Sequence, residues 1–126
     1  MLIILVSSMT LSLSSNHLPK DYIGHYSGIA PAYSMIKDDV EFYVEEQEVN
    51  IVITEKGLIY SSGKMELVGT YIVINQEDGN YLLNANISNG KSVNYALEMV
   101  LGRKGKTVMI QGKNGEPDVY LNKIKS

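Results

Sequence analysis

Residues 80–101 read NYLLNANISNGKSVNYALEMVL, and within them Tyr81, Leu83, Ala85 and Ile87 alternate with Leu82, Asn84, Asn86 and Ser88. After Asn89-Gly90 the same rhythm resumes at Val93, Tyr95, Leu97, Met99 and Leu101. A β-strand points successive side chains to opposite faces, so a period of two on both sides of an Asn-Gly pair describes a hairpin with one apolar face and one wet face. The sequence therefore predicts an antiparallel β fold.

Working outward, the punctuation stays regular. Downstream, Gly102-Arg103-Lys104-Gly105 is a turn, Thr107 to Gln111 a strand, Lys113-Asn114-Gly115 a second turn, and Asp118 to Ile124 the last strand. Upstream, the Glu77-Asp78-Gly79-Asn80 turn follows a long strand from Met65 to Asn75. Before that, Ser62-Gly63 and Glu55-Lys56-Gly57 separate Leu58–Ser61 from Val49–Thr54. Asp21 to Ile29 is the first strand, with Tyr22, Gly24, Tyr26 and Gly28 on one side. Between these lies an ambiguous segment, Tyr33 to Glu48: Val40, Phe42 and Val44 alternate as a strand does, while Ile36, Val40, Tyr43 and Val44 also fit one side of a helix. The strand is the expectation. Short hairpin loops leave no room for crossover helices, so the whole is an all-β, up-and-down meander of about eight strands that closes into a barrel and removes its exposed edges. A β-sandwich is the alternative.

A chain of 126 residues is one domain. The barrel is expected over residues 16–126. There is no cysteine, which excludes disulfides, thiolate zinc sites and thiol nucleophiles. A net charge of −3 argues against nucleic acid, whose binding rests on phosphate neutralisation by Lys and Arg. The charge is unevenly spread: from Asn16 to Gly90 four lysines face eleven carboxylates, and from Lys91 onward seven basic residues face three acidic ones. Such halves either make a dipolar surface that orients a partner, including a second copy in a homodimer, or are mixed by the meander.

At the amino terminus the apolar run Leu2–Val6 is followed by a Ser-rich stretch ending at Ser15. The run is too short to span a bilayer and resembles the apolar and cleavage regions of an export signal, so residues 1–15 are expected to direct the chain to the periplasm or outside the cell. The departure is a missing basic start, since Leu2 follows Met1 directly. The alternative is an extra edge strand in which Met9, Leu11 and Leu13 alternate with polar residues.

No catalytic or cofactor constellation appears. His17 and His25 are the only histidines and have no metal-ligand spacing around them. The acidic stretch Asp38, Asp39, Glu41, Glu45, Glu46 and Glu48 lacks the loop spacing that wraps carboxylates around calcium. There is no Gly-x-Ser-x-Gly elbow, and the glycine turns lack the strand-loop-helix setting of a phosphate cradle. Neither an enzyme nor a cofactor is expected. Nine tyrosines against one phenylalanine is the remaining oddity; tyrosine buries apolar area while its hydroxyl seeks a partner.

At Gly24-His25-Tyr26-Ser27-Gly28, with the meander behind it, the chain resembles the lipocalin-like calycin barrels, especially the small exported bacterial kind. Gly24-His25-Tyr26 matches the lipocalin Gly-x-Trp motif with Tyr in place of Trp, and the resemblance implies that Lys123 of Val119-Tyr120-Leu121-Asn122-Lys123 sits near that aromatic. The chain departs from the family in having no Trp and no residues for a helix after the barrel. Two functions follow as expectations. The first is a binding protein whose interior, lined by Tyr26, Tyr81, Leu83, Tyr95, Leu97 and Met99, holds a small hydrophobic or amphipathic molecule. The second is a protein-interaction module with a filled barrel, such as an inhibitor, immunity protein or envelope-complex subunit, using Asp38, Asp39, Glu41, Glu45, Glu46 and Glu48.

Overall fold

The computed structural model describes residues 18–77, 80–102 and 104–124. The segment expected to be an export signal, and His17, lie outside them, as do Asp78, Gly79 and Arg103 of two expected turns. A 3-10 turn, Lys20–Tyr22, precedes β1 (Gly24–Ala30), β2 (Tyr33–Lys37), β3 (Val40–Val44), β4 (Gln47–Ile53), β5 (Leu58–Ser62), β6 (Met65–Glu77), β7 (Asn80–Ser88), β8 (Asn94–Gly102), β9 (Thr107–Ile110) and β10 (Val119–Lys123). Eight of these strands close into an antiparallel barrel in the order β1-β10-β9-β8-β7-β6-β5-β4, with β4 paired back onto β1.

The alternation that defines the fold is realised as written. Leu83, Ala85 and Ile87 of β7 and Leu97, Met99 and Leu101 of β8 face the interior and are buried, and Asn84 and Asn86 face out. The core is completed by Tyr26, Val49, Ile51, Ile53, Leu58, Leu67, Val108 and Leu121 from the other walls. Each fully buried aliphatic side chain contributes roughly 1.5–3 kcal/mol. The outer wall mixes polar residues with exposed Ile29, Val68, Ile72, Ile74 and Tyr120. Among the described residues no helix is long and apolar enough to cross a membrane.

The Asn-Gly pair is not a two-residue turn. The last pair of the β7–β8 ladder is Ser88 with Asn94, and the five residues between them form a loop organised by Asn89, whose Oδ1 accepts from the Lys91 and Val93 amides at 2.9 and 3.1 Å. The Asn side chain supplies acceptors that a tight turn would take from the backbone.

The ambiguous segment 33–48 holds two strands, neither of them in the barrel. β2 and β3 pair only with each other, as a hairpin projecting from between β1 and β4. One pairing register runs through the whole ribbon, from Gly24 opposite Ile53, through Ala30 opposite Gln47, to Lys37 opposite Val40. Asp38 and Asp39 form its tip, both with positive φ (54° and 63°), the paired left-handed conformation of a type I′ turn. Neither face of this arm meets a second sheet. Its residues therefore need not alternate cleanly, which is why strand and helix periods coexist in the sequence.

The charges follow the arm and the loops rather than the barrel walls. Among the described residues the acidic excess gathers on and beside the arm, at Asp38, Asp39, Glu41, Glu45 and Glu46, while Lys91, Lys104, Lys106 and Lys113 lie in loops and Lys123 on β10.

Candidate functional site

The barrel has one sealed end. The 3-10 turn lays Tyr22 across it, edge-on to Tyr81 with ring centroids 4.9 Å apart and planes at 76°. The Tyr26 hydroxyl lies 3.0 Å from both the Tyr22 and the Gly105 carbonyl oxygens, tying β1 to the turn after β8. Lys123, directly opposite Tyr26 in the ladder, holds its ammonium 5.8 Å from the Tyr26 ring centroid and donates to the Asp21 carbonyl at 2.7 Å. This is the contact implied on the sequence by the Gly24-His25-Tyr26 motif. Gly24 permits it: its φ is +149°, and a Cβ there would meet the Lys123 Cε at 2.7 Å. Burial, and secondarily the neighbouring Tyr22, pushes the Tyr26 hydroxyl pKa up to about 12.

The opposite end is open. A hollow of about 140 Å³ lies between the mouth of the barrel and the base of the arm, and its lining includes Tyr33 and Val44 from the arm, Tyr60 and Ser62 from β5, and Tyr95 and Leu97 from β8. The loop after β9 closes one side. Asn114 and Gly115 (φ 53° and 91°) turn it, the Glu116 amide donates to the Lys113 carbonyl at 3.0 Å, and the Gly112 amide donates to Asp118 Oδ1 at 2.8 Å. These bonds fix Glu116 over the mouth, where its Oε1 accepts from the Tyr95 hydroxyl at 3.3 Å. Ser62 donates to Gln47 Oε1 at 2.6 Å on the opposite wall.

Three tyrosine hydroxyls here feel the same carboxylate. Desolvation first, and then the Glu116 charge and hydrogen bond with smaller effects from Tyr60 and Tyr33, raise the Tyr95 pKa to about 12. Tyr33 is raised by desolvation and then by Glu116. Tyr60 is raised by desolvation, lowered in part by its hydrogen bond with Ser62, and raised again by Glu116. These groups stay neutral donors at any physiological pH.

Of the residues expected to line an interior ligand site, Tyr26, Leu83 and Met99 are fully buried core, and Tyr81 packs against Tyr22 at the sealed end. Only Tyr95 and Leu97 reach the mouth hollow. The acidic residues share one ribbon rather than one face: Asp38 and Asp39 at the arm tip, Glu41 on β3, Glu45 and Glu46 where the arm leaves the barrel, and Glu48 on the outer wall beside Ser27. Glu45 alone of them lines the hollow. Sequence reading missed Tyr33 and Glu116 as site residues; the tyrosine surplus hinted at the first, but nothing local marks a glutamate beyond an Asn-Gly turn.

A second hollow of about 220 Å³ lies on the outer wall across β6, β7 and β8, where Asn84, Asn86 and Ala96 leave the surface low. Among the described residues no three His, Asp or Glu side chains converge as metal ligands do. The fold and the mouth define a class: a closed eight-stranded antiparallel barrel with one plugged end and one open end under a projecting hairpin. In comparisons with known protein families, curated proteins and solved structures, the chain matches none of them.

Proposed function

We propose that this protein is a non-enzymatic binding barrel that docks a protein partner with its projecting arm and open mouth. The carrying observation is the arm itself. Ile36 (75% exposed) and Tyr43 (67%) lie on one face and Val40 and Phe42 on the other, all in water and none needed to fill the barrel. An isolated two-stranded ribbon is marginally stable at best, so apolar area left on both of its faces serves an occupant rather than the fold. The acidic tip and base, Asp38, Asp39, Glu41, Glu45 and Glu46, suit a partner with a basic surface. An export signal in residues 1–15 would place that encounter in the envelope or outside the cell.

A second reading, a lipocalin-like carrier of a small ligand, rests on the mouth hollow. Its volume of about 140 Å³ is small for that role; typical ligand pockets run from roughly 300 to 1,000 Å³. Native mass spectrometry of the protein purified from the organism that makes it, beside a Phe42→Asp, Tyr43→Asp double variant, separates the two. A stoichiometric protein partner on the wild type that is lost from the variant is the expected result. A stoichiometric small molecule on both overturns the docking reading in favour of the carrier, and a bare chain in both overturns it outright.

A further inference from the structure

The mouth presents aromatic rings and one carboxylate to the same small space. Tyr33, Tyr60 and Tyr95 line it from three separate strands, and Glu116 hangs over it from a loop pinned by backbone hydrogen bonds. Among the described residues the Glu116 carboxylate accepts one hydrogen bond, from Tyr95. A carboxylate has roughly four acceptor positions, so Glu116, a lining residue of the hollow, keeps acceptor capacity beside it. Glu45 adds a second negative charge at the rim. Lys113 is the single cation among the lining residues, and its ammonium donates to the Ala96 carbonyl at 2.8 Å.

Tyrosine faces attract cations through the ring quadrupole, and a carboxylate among them supplies a charged acceptor. The size decides what kind of cation fits. A volume of about 140 Å³ is close to an engineered cavity of roughly 150 Å³ that holds one benzene-sized molecule. That is the scale of an alkylammonium or guanidinium head, and far below a lipid. The arm beside it carries Asp38, Asp39, Glu41, Glu45 and Glu46 against Lys37, so the approach to the mouth is acidic as well.

We infer that the mouth is a socket for one lysine or arginine side chain of the partner protein, held between Tyr33, Tyr60 and Tyr95 with its charge on Glu116. This rests on the docking reading above and names the group that the partner inserts. The arm then supplies apolar area around a single charged anchor, and Glu116, which accepts one bond from Tyr95, keeps acceptor positions for the incoming head.

The test uses n-butylammonium and ethylguanidinium chlorides as probes of the two side-chain heads, with 1-butanol as the neutral isostere, at constant ionic strength. Binding is read from the NMR shifts of Tyr33, Tyr60 and Tyr95. The cations are expected to give saturable shifts at these residues with dissociation constants on the order of millimolar, as suits ligands of so few atoms. Glu116→Gln should weaken them about tenfold, with the melting temperature little changed, because Glu116 is only half-buried and Gln keeps a carbonyl acceptor for the Tyr95 hydroxyl. Tyr95→Phe, which keeps the ring and removes the bond to Glu116, should keep most of the binding. An equal response to butanol, no saturable shift, or cation binding indifferent to Glu116→Gln overturns the socket. A partner retained by Glu116→Gln but lost with the Phe42→Asp, Tyr43→Asp variant overturns the socket while leaving the docking reading intact. A partner indifferent to the arm variant overturns the docking reading instead.

Discussion

At the sealed end of the barrel Tyr22, Tyr26 and Tyr81 close against one another; at the mouth Tyr33, Tyr60 and Tyr95 stand apart around a hollow. The same side chain does opposite work. At the sealed end the Tyr26 hydroxyl bonds to backbone carbonyls, so its directionality goes into holding a turn across the barrel. At the mouth the Tyr95 hydroxyl bonds to a side-chain carboxylate on a loop, a contact that an incoming group can share. Burial is the largest cause of the raised pKa of both Tyr26 and Tyr95; the neighbouring Tyr22 adds to it at the first and the Glu116 carboxylate at the second. A tyrosine-rich barrel is thus neither uniformly core nor uniformly site; what each hydroxyl meets decides which it is.

The largest expected effect lies between the two ends. Leu97 forms the floor of the mouth and is 4% exposed. Leu97→Asp should abolish folding, since it combines a lost apolar side chain with a buried unpaired charge, a loss of more than about 4 kcal/mol. Asn86→Asp, on the outer wall, should stay within about 0.5 kcal/mol of wild type. Circular dichroism decides it, and a folded Leu97→Asp protein would mean that water reaches deep into the barrel.

A smaller effect sharpens the contrast between the ends. Tyr26→Phe leaves two buried carbonyls without their shared donor and should cost about 1–3 kcal/mol in urea unfolding. Tyr95→Phe frees a carboxylate that water can satisfy and should cost less than about 1 kcal/mol. Equal costs would mean that the two ends hold their tyrosines alike.

The smallest effect is on the alkaline limb. Tyr26 has a folded pKa raised to about 12 from an ordinary value of 10.0. The folded state therefore holds a proton that the unfolded chain gives up, and the stability present below pH 10 drains away as pH rises from there toward 12. Tyr26→Phe should be less stable at neutral pH yet lose less between these pH values, measured as urea midpoints across the range. A parallel loss in both proteins would remove Tyr26 as its source.

Much of the barrel was legible because burial on one side leaves an unmistakable alternation, as at Tyr81 to Ile87 and Val93 to Leu101. Strand was also the expectation for the arm and holds at Val40–Val44, but that the segment leaves the barrel was not legible, because Val40, Phe42, Tyr43 and Ile36 answer to no core. The nearness of Lys123 to Tyr26 was anticipated only as what the family resemblance of Gly24-His25-Tyr26 implies; the structure supplies the register that sets the two opposite each other. Glu116 was invisible, because its place depends on how a loop folds back over strands that are distant in the chain. The acidic stretch was read as one cluster, but a ribbon with two faces and a bend distributes it.

The unbroken register through the arm has a consequence for how this protein changes over time. Because Ala30 faces Gln47 on the barrel and the ladder resumes in step at Tyr33 and Val44, residues 31–46 amount to a lengthened β-turn. Shortening or rewriting it in matched pairs leaves every other strand where it was. The barrel is in this sense a frame whose one long connection can be edited without moving the fold it springs from, and on the docking proposal that connection is where a change of partner would be written.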